Sequence, residues 1–299
     1  MIHWLSSMSE HSETTAPVDS PRPITVIQPS PRVGWAELAE TWTYRELLGF
    51  FVWRDLKVRY KQTVLGAAWA ILQPLAAAAV FTLIFGRLAG IRSDGLPYSL
   101  FSYSGLLVWT YFAQGVTQCS ESLVGSAKLI TKVYFPRLVM PVAAVLSGLV
   151  NLVVAFPVLL AMMLWFGVRP GPQVLALPLV VGLAVVTVLS VGIFTSAVNV
   201  RYRDVRHVVP FMVQIWLFLT PVIYPSTAAM SRLAEHGFPG WLLGINPMAG
   251  VVEGFRWAML GTSPAPTSLL AVGWIVSVCL LLLSVFYFRR VERTFADVV

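Results

Sequence analysis

The sequence predicts an all-α integral membrane protein with six transmembrane helices. Of its 299 residues, 57% are hydrophobic and only 12% are charged, whereas about 25% of the residues of a soluble domain are charged. The mean hydropathy is +0.74. Six runs lack charged residues, and each is long enough to cross a bilayer core of about 30 Å, which takes about 20 helical residues. These runs are Gln62–Gly86, Gly95–Ser120, Leu138–Val168, Pro170–Val200, Val208–Ser231 and Gly261–Phe288.

Two segments precede the first run. Residues 1–33 are polar and rich in proline, which predicts a disordered cytoplasmic tail. Residues 34–61 are predicted to form an amphipathic interface helix, because Trp35, Leu38 and Trp42 recur at helical spacing among charged residues. The alternative is a packed helix of a soluble N-terminal domain.

The six-span transmembrane domain is predicted over residues 62–290, with a cytoplasmic tail at 291–299. Gly237–Val252 is short for a crossing and is interrupted by Pro and Gly, so we predict short re-entrant or gate helices between helices 5 and 6. Lys and Arg are concentrated in the segments predicted to lie inside, which places both termini in the cytoplasm. The few basic residues predicted outside are Arg87, Arg92, Arg169, Arg232 and Arg256.

Composition and motifs exclude several functions. The net charge is +7, but the basic residues lie at the ends of apolar runs, so no nucleic-acid partner is expected. The two cysteines form no CxxC pair and the four histidines show no metal spacing. There is no GxxxxGK[ST] loop for nucleotide phosphates. The apolar runs contain no Asp, Glu, Lys, Arg or His, which argues against proton coupling and intramembrane catalysis. We therefore predict a transport subunit, not an enzyme, with no catalytic, cofactor-binding or metal-binding residue of its own.

A polar stripe follows the second run. Tyr103, Thr110, Gln114 and Thr117 are spaced 7, 4 and 3 residues apart, so one helix presents them on one face. This stripe either lines a path for a polar substrate or makes hydrogen bonds between helices. The fifth run is predicted to complete the lining. The candidate channel-lining residues are Tyr103, Thr110, Gln114, Thr117, Gln214, Trp216 and Phe218.

Two basic segments mark the cytoplasmic side. Arg54, Asp55, Lys57 and Arg59 directly precede the first run and are predicted to lie at the cytoplasmic entrance. The loop over 128–137 is basic and apolar at once, which is typical of a docking surface. The alternative for this loop is a simple topology anchor.

Four ordered blocks of sequence resemble the transmembrane subunits of polysaccharide-exporting ABC transporters, the family that moves O-antigen, capsule or teichoic acid precursors. The resemblance covers about residues 35–290 and is specific for the family, but not for the polymer. The blocks are Arg54–Trp69 with Leu72–Leu75, Leu129–Arg137, Asn199–Val205, and Thr220–Pro225 with Asn246–Met248.

The resemblance implies a homodimer that works with two copies of a separate ATPase subunit, in which ATP and Mg are bound. It also implies a location in the bacterial cytoplasmic membrane and a coupling helix in the loop over 128–137. The residues that would couple to the ATPase are Lys128, Lys132, Tyr134, Phe135 and Arg137.

The predicted function is therefore export of a lipid-linked polysaccharide by an ATP-driven permease. Two alternatives remain: an ABC permease for drugs or small lipids, and a membrane-embedded enzyme acting on polyprenyl-linked sugars. The enzyme would need a cluster of acidic residues or histidines at the membrane edge, and the sequence shows no such cluster.

Overall fold

The computed structural model describes residues 44–61, 66, 68–130, 132–133, 135–261 and 264–292, and this part of the chain contains helices and no strand. The all-α prediction is therefore confirmed. The predicted N-terminal tail, the first part of the interface helix and residues 293–299 lie outside the described residues, whereas Val291 and Glu292 of the predicted C-terminal tail belong to the last helix. The α-helices are α1 (Arg45–Lys61), α2 (Ala68–Phe81), α3 (Tyr98–Gly125), α4 (Ala127–Ile130), α5 (Val139–Trp165), α6 (Leu177–Arg201), α7 (Val205–Leu219), α8 (Ser226–Glu235), α9 (Pro247–Leu260) and α10 (Thr267–Glu292).

Three short helices of other types adjoin these elements. A π-helix, Thr82–Leu88, continues α2, and the 3-10 helices Pro172–Ala176 and Gly240–Ile245 precede α6 and α9. Four helical stretches are long and apolar enough to cross a membrane: Ala68–Leu88, Val139–Trp165, Pro172–Arg201 and Thr267–Glu292.

The other two predicted spans differ from these four. Helix α3 has 28 residues, but its polar stripe makes it less apolar. Helix α7 has 15 residues, which at 1.5 Å per residue is about 22 Å long, shorter than a bilayer core. The exact count of six spans therefore stays a prediction.

The chain leaves the helical conformation after Leu219, in the middle of the run predicted over Val208–Ser231. Thr220 and Pro225 have extended backbone conformations, and α8 begins only after Pro225. The cause is local, because a proline disfavours the helical conformation of the residue before it and has no N–H to donate. Pro221 follows Thr220 directly. The result is a turn over residues 220–225 that separates α7 from α8.

Helix α3 lies at the centre of the bundle and contacts α2, α5, α6, α7 and α9. Burial alone does not drive such packing in a bilayer, since lipid tails are as apolar as leucine, so close approach of the helices matters more. Gly192 of α6 illustrates this, because a Cβ there would lie 2.6 Å from the Cys119 sulfur of α3. The polar stripe of α3 therefore lies within a closely packed bundle.

A second apolar cluster holds α1 against the N-terminal end of α5. Phe51 of α1 is buried and its ring lies 5.6 Å from the ring of Phe135, with Leu138 and Phe288 in the same cluster. The other residues of α1 are partly buried or exposed, and Trp53 is 57% exposed. This arrangement fixes α1, and with it the basic residues predicted at the cytoplasmic entrance.

Candidate functional site

A groove between α3 and α7 brings together three of the seven predicted channel-lining residues. It encloses about 370 Å³ and is lined by Gln114 and Thr117 from α3 and by Gln214 from α7. The remaining wall is mostly apolar, with Trp109 and Leu217 among the lining residues. The groove therefore offers amide and hydroxyl groups along an apolar cleft, which we call the α3–α7 groove.

The other four predicted residues lie elsewhere. The Tyr103 side chain is fully buried, and its hydroxyl donates to the Ala155 carbonyl at 2.9 Å. Trp216 donates from Nε1 to Asn246 Oδ1 at 3.0 Å. Thr110 borders a separate small cavity between α2, α3 and α5. Phe218 is 58% exposed on the surface of α7.

Gln114 also takes part in a chain of hydrogen bonds that joins four helices. Its amide nitrogen donates to Gln73 Oε1 of α2 at 2.9 Å, and its oxygen accepts from Asn151 of α5 at 3.0 Å. Asn151 in turn accepts from the Tyr60 hydroxyl of α1. Gln114 therefore makes hydrogen bonds between helices, which is one of the two roles predicted for the stripe. The other role, lining a channel, stays a prediction. Sequence reasoning missed Asn151, whose signal is a lone amide within the third apolar run.

The predicted cytoplasmic entrance forms a cavity of about 560 Å³ between α1, α3 and α5, lined by Arg54, Asp55 and Arg59. Arg54 and Asp55 form an ion pair at 2.8 Å, and because both are partly exposed it adds little stability. Arg59 donates from Nη2 to Gln118. Its other terminal nitrogen, Nη1, is buried and has no hydrogen-bond partner among the described residues. Lys57 instead lies over the Trp53 ring, outside the cavity lining.

The predicted coupling loop is partly exposed and partly built into the fold. Lys128 lies on α4, and Lys132 is exposed in the turn that follows. Phe135 is buried within this chain, against Phe51. Arg137 donates to the Glu292 carbonyl at the end of α10 at 2.6 Å. The predicted Tyr134 lies outside the described residues.

Among the described residues of the loop, Lys132 and Val133 are exposed, and Val133 is 52% exposed. The Phe135 side chain is buried against Phe51 and is not exposed to a partner. Its predicted role in coupling stays a prediction.

A buried ion pair lies in α9, which begins within the segment predicted to form gate helices. Arg256 is fully buried, and its guanidinium donates to the Pro221 carbonyl at 2.6 Å, the Val222 carbonyl at 2.7 Å and Glu253 Oε2 at 3.3 Å. It also donates to the Phe101 carbonyl of α3 at 3.2 Å, and its central carbon lies 3.5 Å from the Phe101 ring centroid. Arg256 thus joins α9 to α3 and to the turn over 220–225.

Arg256 is buried in α9 and is not exposed in an outside loop, where the sequence analysis placed it. The guanidinium fits because α3 carries Gly105, where a Cβ would lie 2.5 Å from Arg256 Nη2. The signal missed in the sequence is the spacing of Glu253 and Arg256, which are three residues apart in an otherwise apolar stretch. On a helix this spacing pairs the two charges.

The comparisons with known proteins agree with this architecture. The family described as ABC-2 type transporter matches residues 46–260. The O-antigen export system permease protein RfbA of Myxococcus xanthus is 31% identical over 217 residues, which cover 73% of this chain and 81% of that protein. The protein of the same name from Klebsiella pneumoniae is 26% identical over 254 residues, 85% of this chain and 95% of that protein.

A third relative is the polysialic acid transport protein KpsM of Escherichia coli, which is 24% identical over 212 residues, 69% of this chain and 78% of that protein. The family match runs from α1 to the end of α9. It therefore includes the cytoplasmic cavity, the α3–α7 groove and the buried Arg256. The chain is a multi-pass membrane subunit and belongs to the ABC-2 type transporter family.

Proposed function

We propose that this chain is the permease subunit of an ATP-driven exporter that moves a lipid-linked, O-antigen-like polysaccharide across the bacterial cytoplasmic membrane. The observation that carries the proposal is the relationship to two permeases named for O-antigen export, which match over 81% and 95% of their own lengths. A relative named for polysialic acid transport points to the same class of substrate.

The α3–α7 groove supports a polar substrate. A polysaccharide carries many hydroxyl groups, and each one buried in hydrocarbon without a partner costs a few kcal/mol, about 2–7 depending on the reference state. The path must therefore offer hydrogen bonds along its length. Gln114, Thr117 and Gln214 supply amide and hydroxyl groups in one groove. In a homodimer, a two-fold axis would bring two such grooves around one conduit.

The energy would come from two copies of a separate ATPase subunit, which would bind ATP and Mg, because this chain has no phosphate-binding loop in its sequence. No cofactor is needed in the permease itself. The exposed Lys132 and Val133 favour docking of the ATPase at the loop that follows α4. This side of the membrane would be the cytoplasm, with both termini on it, as the distribution of basic residues indicates.

Depletion of the chain in the organism that encodes it tests the substrate. We expect the surface polymer to disappear while the same polymer accumulates inside the cell on its lipid carrier, and re-expression of the chain should restore export. Normal surface polymer together with altered drug tolerance would instead favour a drug permease. Loss of the polymer without an accumulated lipid-linked form would favour an enzyme of polymer synthesis.

Purification of the complex tests the source of energy. We expect the isolated chain to hydrolyse no ATP, since it cannot cradle the phosphates, and the complex with its co-purified partner to do so. The control is the same complex with the Walker A lysine of the partner replaced. Robust hydrolysis by this polypeptide alone would contradict the proposal.

A further inference from the structure

A second groove lies at the end of α2 opposite to α1, between the loop after α2 and helix α8. It encloses about 750 Å³, within the range of about 300–1,000 Å³ that small-molecule sites occupy. We call it the α8 groove. The lining residues that matter here are Ile91, Arg92, Tyr224, Arg232, His236 and Phe238.

The two walls of the α8 groove are tied together, so it is a built cleft rather than a gap between loose loops. The Thr227 hydroxyl of α8 donates to Asp94 Oδ1 at 3.1 Å, which joins α8 to the loop after α2. The Tyr98 hydroxyl donates to the Ile223 carbonyl at 2.8 Å. These bonds connect the loop after α2 to the turn over 220–225 and to α8. The two arginines therefore stand on segments that hydrogen bonds connect.

The charge of the groove is positive and uncompensated. Arg92 and Arg232 are both exposed into it, and neither forms an ion pair or a side-chain hydrogen bond within the described part of the chain. The lining contains no acidic residue, and neither Asp94 nor Glu235 forms an ion pair with either arginine among the described residues. His236 adds a ring that is also exposed. A ligand with two or more negative charges would match this arrangement.

The walls of the groove are largely apolar, and its position is at the membrane surface. The apolar span ends at Leu88, three residues before Ile91, so the groove lies at the level where headgroups meet water. Phe238 and Trp241 are 55% and 48% exposed nearby, as aromatic residues at an interface often are.

We propose that the α8 groove binds the diphosphate of a lipid-linked substrate on the side opposite to α1, with the two arginines on the phosphates and the lipid chain along the apolar wall. Guanidinium groups bind phosphate oxygens in pairs of parallel hydrogen bonds, which suits Arg92 and Arg232. A phosphodiester phospholipid carries a single negative charge and would use only part of the site. The groove would thus retain the carrier lipid while the polymer passes. This role rests on the proposed function, whereas the binding itself does not.

Binding to the full chain in lipid nanodiscs tests the proposal, with farnesyl diphosphate as the probe. We expect saturable binding that weakens about tenfold or more in Arg92→Gln and in Arg232→Gln, because each loses a hydrogen bond between charged groups. Arg87→Gln is the matched control, since it removes an exposed charge at the same end of α2 outside the groove. Its affinity should equal that of the wild type.

Two further ligands separate the sources of phosphate. Phosphatidylglycerol should compete weakly, and inorganic pyrophosphate should bind more weakly than the lipid diphosphate because it cannot use the apolar wall. Equal competition by phosphatidylglycerol would overturn the preference for a diphosphate. Equal binding of inorganic pyrophosphate would overturn the role of the lipid chain.

A filled groove gives an independent variant in which both arginines remain. Ala229→Phe should block binding of the probe while the protein stays monodisperse, since Ala229 lines the groove on α8. Binding that is unchanged in all three groove variants would overturn the proposal even where polysaccharide export is normal. Saturable binding of the probe that is lost in the groove variants, found in a chain that exports no polysaccharide, would support the diphosphate site and would refute the proposed function alone.

Discussion

Replacement of Arg256 by Met should destabilise the chain strongly. The side chain is fully buried and makes its two shortest hydrogen bonds, 2.6 and 2.7 Å, to carbonyls of the turn over 220–225. Met fills much of the same volume without any donor. The variant therefore leaves Glu253 as a buried carboxylate without its partner, and the two carbonyls lose their donors.

The magnitude follows from these losses. Removing one member of a buried ion pair costs about 3–5 kcal/mol, and each carbonyl left without a donor costs about 1–3 kcal/mol. The terms overlap because one side chain supplies all the bonds, so about 4 kcal/mol is a conservative sum. For a domain of this size, 1 kcal/mol shifts the melting temperature by about 2–4 °C. The expected loss is therefore about 8–16 °C.

Thermal unfolding of the purified protein in detergent measures this shift. Arg87→Met is the matched control, because it makes the same chemical change at an exposed site and should melt like the wild type. The double variant Glu253→Gln, Arg256→Met should regain part of the loss, since no buried charge is then left unpaired. If Arg256→Met has the same melting temperature as Arg87→Met, the ion pair and the hydrogen bonds to the turn do not stabilise the fold, and the prediction is wrong.

Two further predictions concern transport. Cysteine at Thr117 should react with water-soluble thiol reagents while the complex exports, because this position lines the α3–α7 groove. Cysteine at Ala78, which is 2% exposed, is the control and should not react. If the cysteine at Thr117 stays unlabelled during active export, the α3–α7 groove is not part of the transport path. Val133→Asp and Lys132→Glu should weaken co-purification of the ATPase and lower export while membrane insertion persists, because both residues are exposed in the loop after α4. Arg169→Glu reverses a charge outside this loop and serves as the control, and normal co-purification in both loop variants would show that the loop only anchors the topology.

The sequence was sufficient for the architecture because its signals are long and redundant. The charge-free runs predict helices that the structure confirms over most of their length, and the short segment after Gly237 does form short helices. The break in the fifth run was less evident. Pro221 and Pro225 are visible in the sequence, but prolines are tolerated within many membrane helices, and only the conformation of Thr220 shows that the chain leaves the helix here.

The site was harder to predict because helical spacing gives the face of a residue but not its partner. Gln114 and Thr117 do face one groove, yet Tyr103 on the same stripe points to a carbonyl of α5. Arg256 was assigned to an outside loop because it lies between the fifth and sixth charge-free runs. Its burial depends on contacts with Pro221 and Phe101, which are distant in sequence, and no local pattern contains that information.

The chain of hydrogen bonds through Gln114 has a mechanical consequence. Hydrogen bonds are directional, so the bonds among Gln73, Gln114, Asn151 and Tyr60 resist rotation of α1, α2, α3 and α5 against one another. Within the part of the chain that the structure describes, no hydrogen bond joins α7 itself to α3, whereas Trp216 ties α7 to Asn246 beside α9. The contact between α3 and α7 instead includes the rings of Phe112 and Trp216, whose centroids lie 5.1 Å apart, and such a contact is less directional than a hydrogen bond. A conduit that widens along the α3–α7 groove would move α7 away from α3, while α9 stays against α3 through Arg256 and Phe101.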